Sequence, residues 1–193
     1  DEISLVNPDL RVTLKPSMGG HVAECSSTAL ELDLVDTLAR RKEAYHRNVF
    51  RAAHSPDVGV KSIHDISVLK EKGLEKLLQY DWYPRRAFME HFLGPGADLQ
   101  AFVRCEYHEV GDFTVEPYVA SVPAASPAPQ KHRGHGDVSV ALRRDGGIYL
   151  HGGRVPVTVE KTISLPASGT ELSVRYVVAA SAVPHEQNLA GPA

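Results

Sequence analysis

Residues 1–34 alternate apolar and polar positions: Ile3 and Leu5, then Leu10, Val12 and Leu14, then His21-Val22-Ala23-Glu24, then Leu30, Leu32 and Leu34. A period of two is the mark of strands with one buried face. Asn7-Pro8-Asp9 and Pro16-Ser17-Met18-Gly19-Gly20 read as the turns between them. Alternation returns at 86–93, 100–109, 113–122, 137–144, 147–150, 155–165 and 171–178, which predicts an antiparallel protein of roughly ten strands. Arg144-Asp145-Gly146-Gly147 reads as a tight hairpin and Pro166-Ala167-Ser168-Gly169-Thr170 as a second turn, because Asp-Gly and Gly-Gly supply positive φ. Two stretches break the period. Residues 36–47 predict a short helix capped by Asp36 and carrying Leu38, Arg41 and Tyr45, and residues 65–78 predict another, interrupted near Gly73. Pro123 to Pro129 reads as an exposed extended loop. The expected fold is mainly β: a large antiparallel β-sandwich with one or two short helices in long loops, forming one domain over residues 1–193.

Composition narrows the function. At 193 residues and 42% hydrophobic the chain can bury one sizeable core. A net charge of −3 and a pI near 6.4 argue against nucleic acid as a partner. No apolar run reaches the roughly 20 residues that span a bilayer, so no membrane partner is expected. The chain opens on Asp1 in strand-like sequence, as a fragment or processed product would, and the absence of a targeting signal gives a cytoplasmic location as the expectation. Cys25 and Cys105 lie far apart in strand-like contexts and read as inert core thiols.

The densest chemistry lies between Arg40 and His91, where histidine, aspartate, arginine, tyrosine and tryptophan crowd together. Such side chains suit a polar ring-shaped ligand or a polar domain interface. Tyr45, His46, His64 and Asp65 read either as groups that fix loops by hydrogen bonds or as a contact surface. Trp82 and Tyr83 can stack on a sugar ring while Asp81 and Arg85 or Arg86 hold hydroxyls; the plain alternative is a loop anchor in which Asp81 pairs with Arg85. His132, His135 and Asp137 have a spacing compatible with an ion, but the surrounding glycines favour an exposed turn. No metal and no cofactor is assigned. Gly19-Gly20 and Gly152-Gly153 lack a phosphate-loop context and read as turns.

Six segments in order carry a resemblance: Pro16-x-x-Gly19-Gly20, Arg40-Arg41-Lys42-Glu43-Ala44-Tyr45-His46, Ser62-Ile63-His64-Asp65, Gly73-Leu74-Glu75-Lys76, Tyr80-Asp81-Trp82-Tyr83-x-Arg85 and Glu160-Lys161-Thr162-Ile163. Together they resemble the β-sandwich that follows the catalytic barrel in glycoside hydrolase family 57 α-amylases and 4-α-glucanotransferases. The resemblance implies a galactose-mutarotase-like supersandwich acting as an accessory domain. It implies as partners the catalytic barrel domain of the same enzyme and an α-glucan or maltooligosaccharide, with the catalytic carboxylates elsewhere. Tyr45, His46, His64, Asp81, Trp82, Tyr83 and Arg85 are then the candidates for contact with barrel or glucan, and none is assigned to catalysis. The segment Val183 to Ala190 departs from the family pattern, so an incomplete sandwich with an unpaired edge is expected. The alternatives are an independent carbohydrate-binding module and a mutarotase-like epimerase using His46, His64 or His91 with Glu186.

Overall fold

The computed structural model describes residues 1–54, 73–122 and 137–180. These fall into two compact units. The first comprises Asp1–Thr37, Arg86–Gly96 and His108–Ala193; the second, Leu38–Arg85 and Ala97–Tyr107, is made of two insertions into it.

The first unit is a β-sandwich. One sheet is built from β1 (Ile3–Val6), β2 (Leu10–Lys15), β3 (His21–Ser27) and β4 (Leu32–Asp33), in that order. The other runs β5 (Val119–Ser121), β6 (Val138–Leu150), β7 (Gly153–Leu165) and β8 (Ser173–Ala180), all pairs antiparallel. Leu10, Val12, Leu14 and Val22 of the first sheet share one buried cluster with Val140, Leu142, Val159, Ile163 and Leu165 of the second, with Phe113 and Tyr118 in it. The alternation read in residues 1–34 has this cause: one face of each strand meets the opposite sheet. Asn7 fixes the first turn. Its side-chain oxygen accepts from the amides of Asp9 and Leu10, and its Nδ2 donates to the carbonyls of Pro166 and Gly169.

The second unit holds α1 (His46–His54), a 3₁₀ turn at Leu74–Leu77 and α2 (Leu99–Arg104). No helix among the described residues is long and apolar enough to cross a membrane.

Several expectations are corrected. Residues 100–109 do not form a strand. The Asp98 side chain caps Ala101 N at 2.7 Å, α2 follows, and Cys105 ends it in the left-handed region at φ 56°. Cys105 is therefore a half-buried helix-end residue, while Cys25 is buried in β3. Residues 86–93 make only single bridges, Val22 to Ala87 and Leu93 to Glu109, because side chains take over their polar groups: Phe92 N donates to Glu109, and Lys161 takes the Phe88 carbonyl. Asp145-Gly146-Gly147 is not a turn, since β6 runs straight through it and the hairpin lies at His151-Gly152, with Gly153 at φ +113°. Gly146 is there for close approach: a Cβ would sit 2.7 Å from Phe113 Cζ. The expected helix over 36–47 begins only at His46, because Arg40 O accepts from Asp81 N and Arg40 N donates to the Asp81 carboxylate, which holds Arg40 outside a helix. Of the helix expected over 65–78, the described part is the 3₁₀ turn after Gly73, which has φ 87°.

Candidate functional site

The second unit brings most of the predicted residues together. Its centre is the Asp81 carboxylate, 1% exposed at the side chain. Arg40 grips it on two sides: the backbone N donates to Oδ2 at 2.8 Å, and the guanidinium donates through Nε at 3.0 and 3.1 Å and through Nη2 at 2.5 Å. Asp81 N returns a bond to Arg40 O at 2.9 Å, and Cys105 Sγ donates to Oδ1 at 3.3 Å. Burial by itself would raise the Asp81 carboxyl, but the Arg40 hydrogen bonds and charge hold it below the usual carboxylate range. Burial and the neighbouring Asp81 push the Cys105 thiol up, away from a reactive thiolate. Asp81 is thus an anchor whose main partner is Arg40; Arg85, with Nη1 3.9 Å away, is a lesser one.

Beside this knot stands an aromatic group. The rings of Tyr45 and His46 meet edge to face at 4.4 Å, and Tyr80 lies 5.6 Å from His46. Glu43 N donates to His46 Nδ1 at 3.2 Å, so this nitrogen is the acceptor, and the Tyr80 hydroxyl 3.1 Å away donates to it as well. Trp82 and Tyr83 form a second edge-to-face pair at 5.1 Å. Burial raises the Tyr83 phenol, so the ring keeps its proton. His64 lies outside the described residues, as do Asp65, His132, His135 and Glu186.

The sandwich contains a polar centre that the sequence reading overlooked. Lys161 occupies an inward position on β7 between Val159 and Ile163 and is fully buried. Its Nζ donates to Gly19 O at 3.0 Å, Phe88 O at 2.7 Å and Glu90 Oε1 at 2.7 Å. Glu90 also accepts from the Tyr118 and Tyr176 hydroxyls, each at 2.8 Å, and Nζ stands 4.8 Å from the Tyr118 ring centre. Burial lowers the Lys161 ammonium against the opposing pull of Glu90. Burial, and then the Glu90 charge, push both phenols well above their ordinary value. The signal was present in the sequence: the alternation Val157, Val159, Lys161, Ile163, Leu165 puts a lysine where the pattern demands an apolar residue. Nearby, His91 Nδ1 lies 2.7 Å from Glu109 Oε2, while Glu109 Oε1 accepts from Phe92 N at 2.7 Å.

Four of the segments that carried the resemblance meet in pairs. Gly19 meets Lys161 across 142 positions, and Arg40 meets Asp81 across 41. No group of three or more metal-ligating side chains occurs among the described residues. A recess of about 540 Å³ between β1 and the start of β6 is lined mainly by Ile3, Leu5, Val122, Val138 and Val140, with Ser4, Ser121, Ser139 and Asp137 also in its wall. Asp137 is engaged with Ala167 N.

Fold and site together define a β-sandwich with an inserted second unit, in which the shielded carboxylates Asp81, Glu90 and Glu109 are paired with Arg40, Lys161 and His91 respectively. Over residues 1–192 the chain matches the family described as the C-terminal domain of α-amylase/4-α-glucanotransferase, and it belongs to that family. Among curated relatives it is 31% identical over 170 residues to the 4-α-glucanotransferase of Thermococcus litoralis, covering 87% of this chain and 24% of that protein. It is 31% identical over 178 residues to an α-amylase of Pyrococcus furiosus, covering 92% and 23%. The crystal structure of the Thermococcus litoralis enzyme superposes with a TM-score of 0.69 at 29% identity, over 93% of this chain and 24% of that one. The chain thus spans about a quarter of the length of these relatives.

Proposed function

We propose that this chain is the accessory β-sandwich of a glycoside hydrolase family 57 enzyme acting on α-1,4-glucans, supporting a catalytic barrel and performing no bond cleavage itself. The observation that carries this reading is the family match along nearly the whole chain at a quarter of the relatives' length. The chemistry of the chain supports it. Glycoside hydrolysis needs two carboxylates about 5–9.5 Å apart across a substrate cleft, one of them available as an acid. Asp81, Glu90 and Glu109 are instead committed to cations and backbone amides. The test is to remove residues 1–193 from the intact enzyme and assay the remainder on maltooligosaccharides and on long α-glucan. Loss of turnover or of thermal stability is the expected result; a remainder with unchanged rates and melting temperature refutes the reading.

One feature favours a second role within the same reading. Trp82 is half exposed and stands edge-on to Tyr83. An exposed indole is a platform for the apolar face of a glucosyl ring. In this role Trp82, Tyr83 and Tyr45 make the sugar contact while Asp81, Arg40 and Arg85 hold the loop beneath.

A further inference from the structure

Strands β6 and β7 form one long hairpin, and its register fixes which side chains share a face. On the inner face Val140, Leu142, Val157 and Val159 are buried, and a Cβ on Gly146 would strike Phe113. Alternation then sends Gly147 and Tyr149 of β6, and Arg154 and Thr158 of β7, to the outer face, with Tyr149 directly opposite Arg154.

Gly147 decides what stands there. A Cβ at this position would lie 2.4 Å from Arg154 Nε, so the bare backbone lets the arginine lie flat against the strand. Arg154 Nη2 donates to Gly146 O at 2.7 Å. The N–H of the same peptide group, that of Gly147, donates to Asp112 Oδ1 at 2.9 Å. One peptide group thus positions a guanidinium at its oxygen and a carboxylate at its nitrogen. Arg144 fixes Asp112 further: its Nε donates to the Asp112 carbonyl at 2.7 Å, and its Nη2 stands 3.4 Å from Oδ1. The second carboxylate oxygen, Oδ2, meets the Tyr149 hydroxyl at 3.5 Å, the long limit of a hydrogen bond, and keeps capacity to accept a closer donor. All three groups reach the surface: Tyr149 is 53% exposed, Arg154 is exposed, and the Asp112 side chain is 26% exposed.

Charge selects what such a site takes. Asp112 repels an anion and Arg154 repels a cation, whereas an uncharged polyol satisfies both, one hydroxyl donating to Oδ2 and its neighbour accepting from Arg154. A pyranose adds an apolar C–H face that matches the Tyr149 ring. Further along the same face Arg143 and Thr158 both donate to Asp145 Oδ1. Those groups are committed to one another, which confines the site to the end of the hairpin and to about one sugar ring.

We propose that Tyr149, Arg154 and Asp112 form a carbohydrate-binding site on the sandwich, separate from Trp82, that takes one glucosyl residue of an α-glucan. The ring lies on Tyr149 while two adjacent hydroxyls bridge Asp112 and Arg154. The choice of an α-glucan rests on the accessory-domain reading; the choice of a vicinal diol rests on the geometry alone.

Titration of the isotope-labelled 193-residue chain with maltotriose, followed by amide chemical shifts in two-dimensional NMR, tests it. Amides of residues 147–154 are expected to shift saturably with a Kd of about 1 mM, as suits one stacked ring and two hydrogen bonds. Tyr149→Ala and Arg154→Leu are each expected to weaken that binding at least about tenfold, while Tyr149→Phe, which keeps the ring, stays within about threefold. Trp82→Ala leaves the shifts at 147–154 unchanged. Unaltered β2 and β7 resonances show that each variant is folded. No saturable shift at 147–154, or one that survives Tyr149→Ala and Arg154→Leu, overturns the proposal, as does one lost with Trp82→Ala. Cellotriose separates the two premises: equal binding of both trisaccharides upholds the diol site and overturns α-glucan as its particular ligand.

Discussion

Replacing Glu90 by Gln is the sharpest perturbation of the sandwich. The Lys161 ammonium is fully buried, with Gly19 O, Phe88 O and Glu90 Oε1 as its acceptors. Two of these are neutral carbonyls, so among the described residues Glu90 is the one counter-charge in contact. Removing one partner of a buried pair while leaving the other costs about 3–5 kcal/mol, because the survivor stays desolvated without compensation. For a domain of this size each kcal/mol moves the melting temperature by about 2–4 °C, so Glu90→Gln is expected to lower it by about 6–20 °C. Lys161→Met removes the cation but strips the Gly19 and Phe88 carbonyls of a donor, at about 1–3 kcal/mol each. In the double variant no charge is stranded. Its cost is therefore expected to fall short of the summed single costs by at least about 2 kcal/mol, well outside the roughly 0.5 kcal/mol scatter of independent sites. Chemical denaturation followed by far-UV circular dichroism measures all three. Additive costs, or a Glu90→Gln cost below about 1 kcal/mol, would refute the argument that this pair is a mutually dependent buried unit.

The same centre governs alkaline behaviour. Tyr118 and Tyr176 have phenols raised above their ordinary value, so the folded state keeps protons that the unfolded chain releases, and their contribution is present below about pH 10 and lost as pH rises beyond it. Stability measured from pH 8.5 to 11.5 should fall above about 10, and Tyr118→Phe/Tyr176→Phe should flatten that fall; an unchanged slope counts against the assignment. In the second unit, Arg40→Ala strands the buried Asp81 and is expected to cost about 2–4 kcal/mol of local stability by hydrogen exchange, whereas Arg85→Ala, across a 3.9 Å separation, stays within about 1 kcal/mol; equal effects contradict the anchoring order. Asp81, held below the usual range, contributes stability that is present above about pH 4 and lost as pH falls below it, so Arg40→Ala should also weaken the acid dependence of exchange in residues 74–83. Because Trp82 is the one tryptophan of the chain, its fluorescence reports directly on sugar contact: a saturable change with maltooligosaccharides supports the stacking role, and a flat response up to high millimolar ligand removes it.

The sandwich was legible wherever burial on one face wrote itself as alternation. β1 to β3 and β7 follow the pattern because their inward residues form the shared cluster. Legibility failed where a side chain replaced the backbone as partner. Residues 86–93 look like a strand yet give their polar groups to Glu109 and Lys161, and residues 100–109 carry β-like composition yet obey the Asp98 cap. Asp145-Gly146-Gly147 misled for another reason: glycine is needed there for the approach of Phe113, not for a turn. At the candidate site, Tyr45, His46, Asp81, Trp82, Tyr83 and Arg85 were legible as residue types, but not their partners. The grip of Arg40 on Asp81 joins positions 41 apart, and the Lys161 centre joins residues from five separate parts of the chain; local patterning encodes neither.

The central claim is that this sandwich supports glucan chemistry without performing it. Its most direct test is a turnover assay of the purified 193-residue chain on maltooligosaccharides, with products resolved by chromatography and the intact enzyme as the positive control. The account predicts that the substrate stays unchanged with the chain alone at concentrations where the intact enzyme converts it fully. Shortened or disproportionated oligosaccharides formed by the chain alone, in proportion to its concentration, would contradict it.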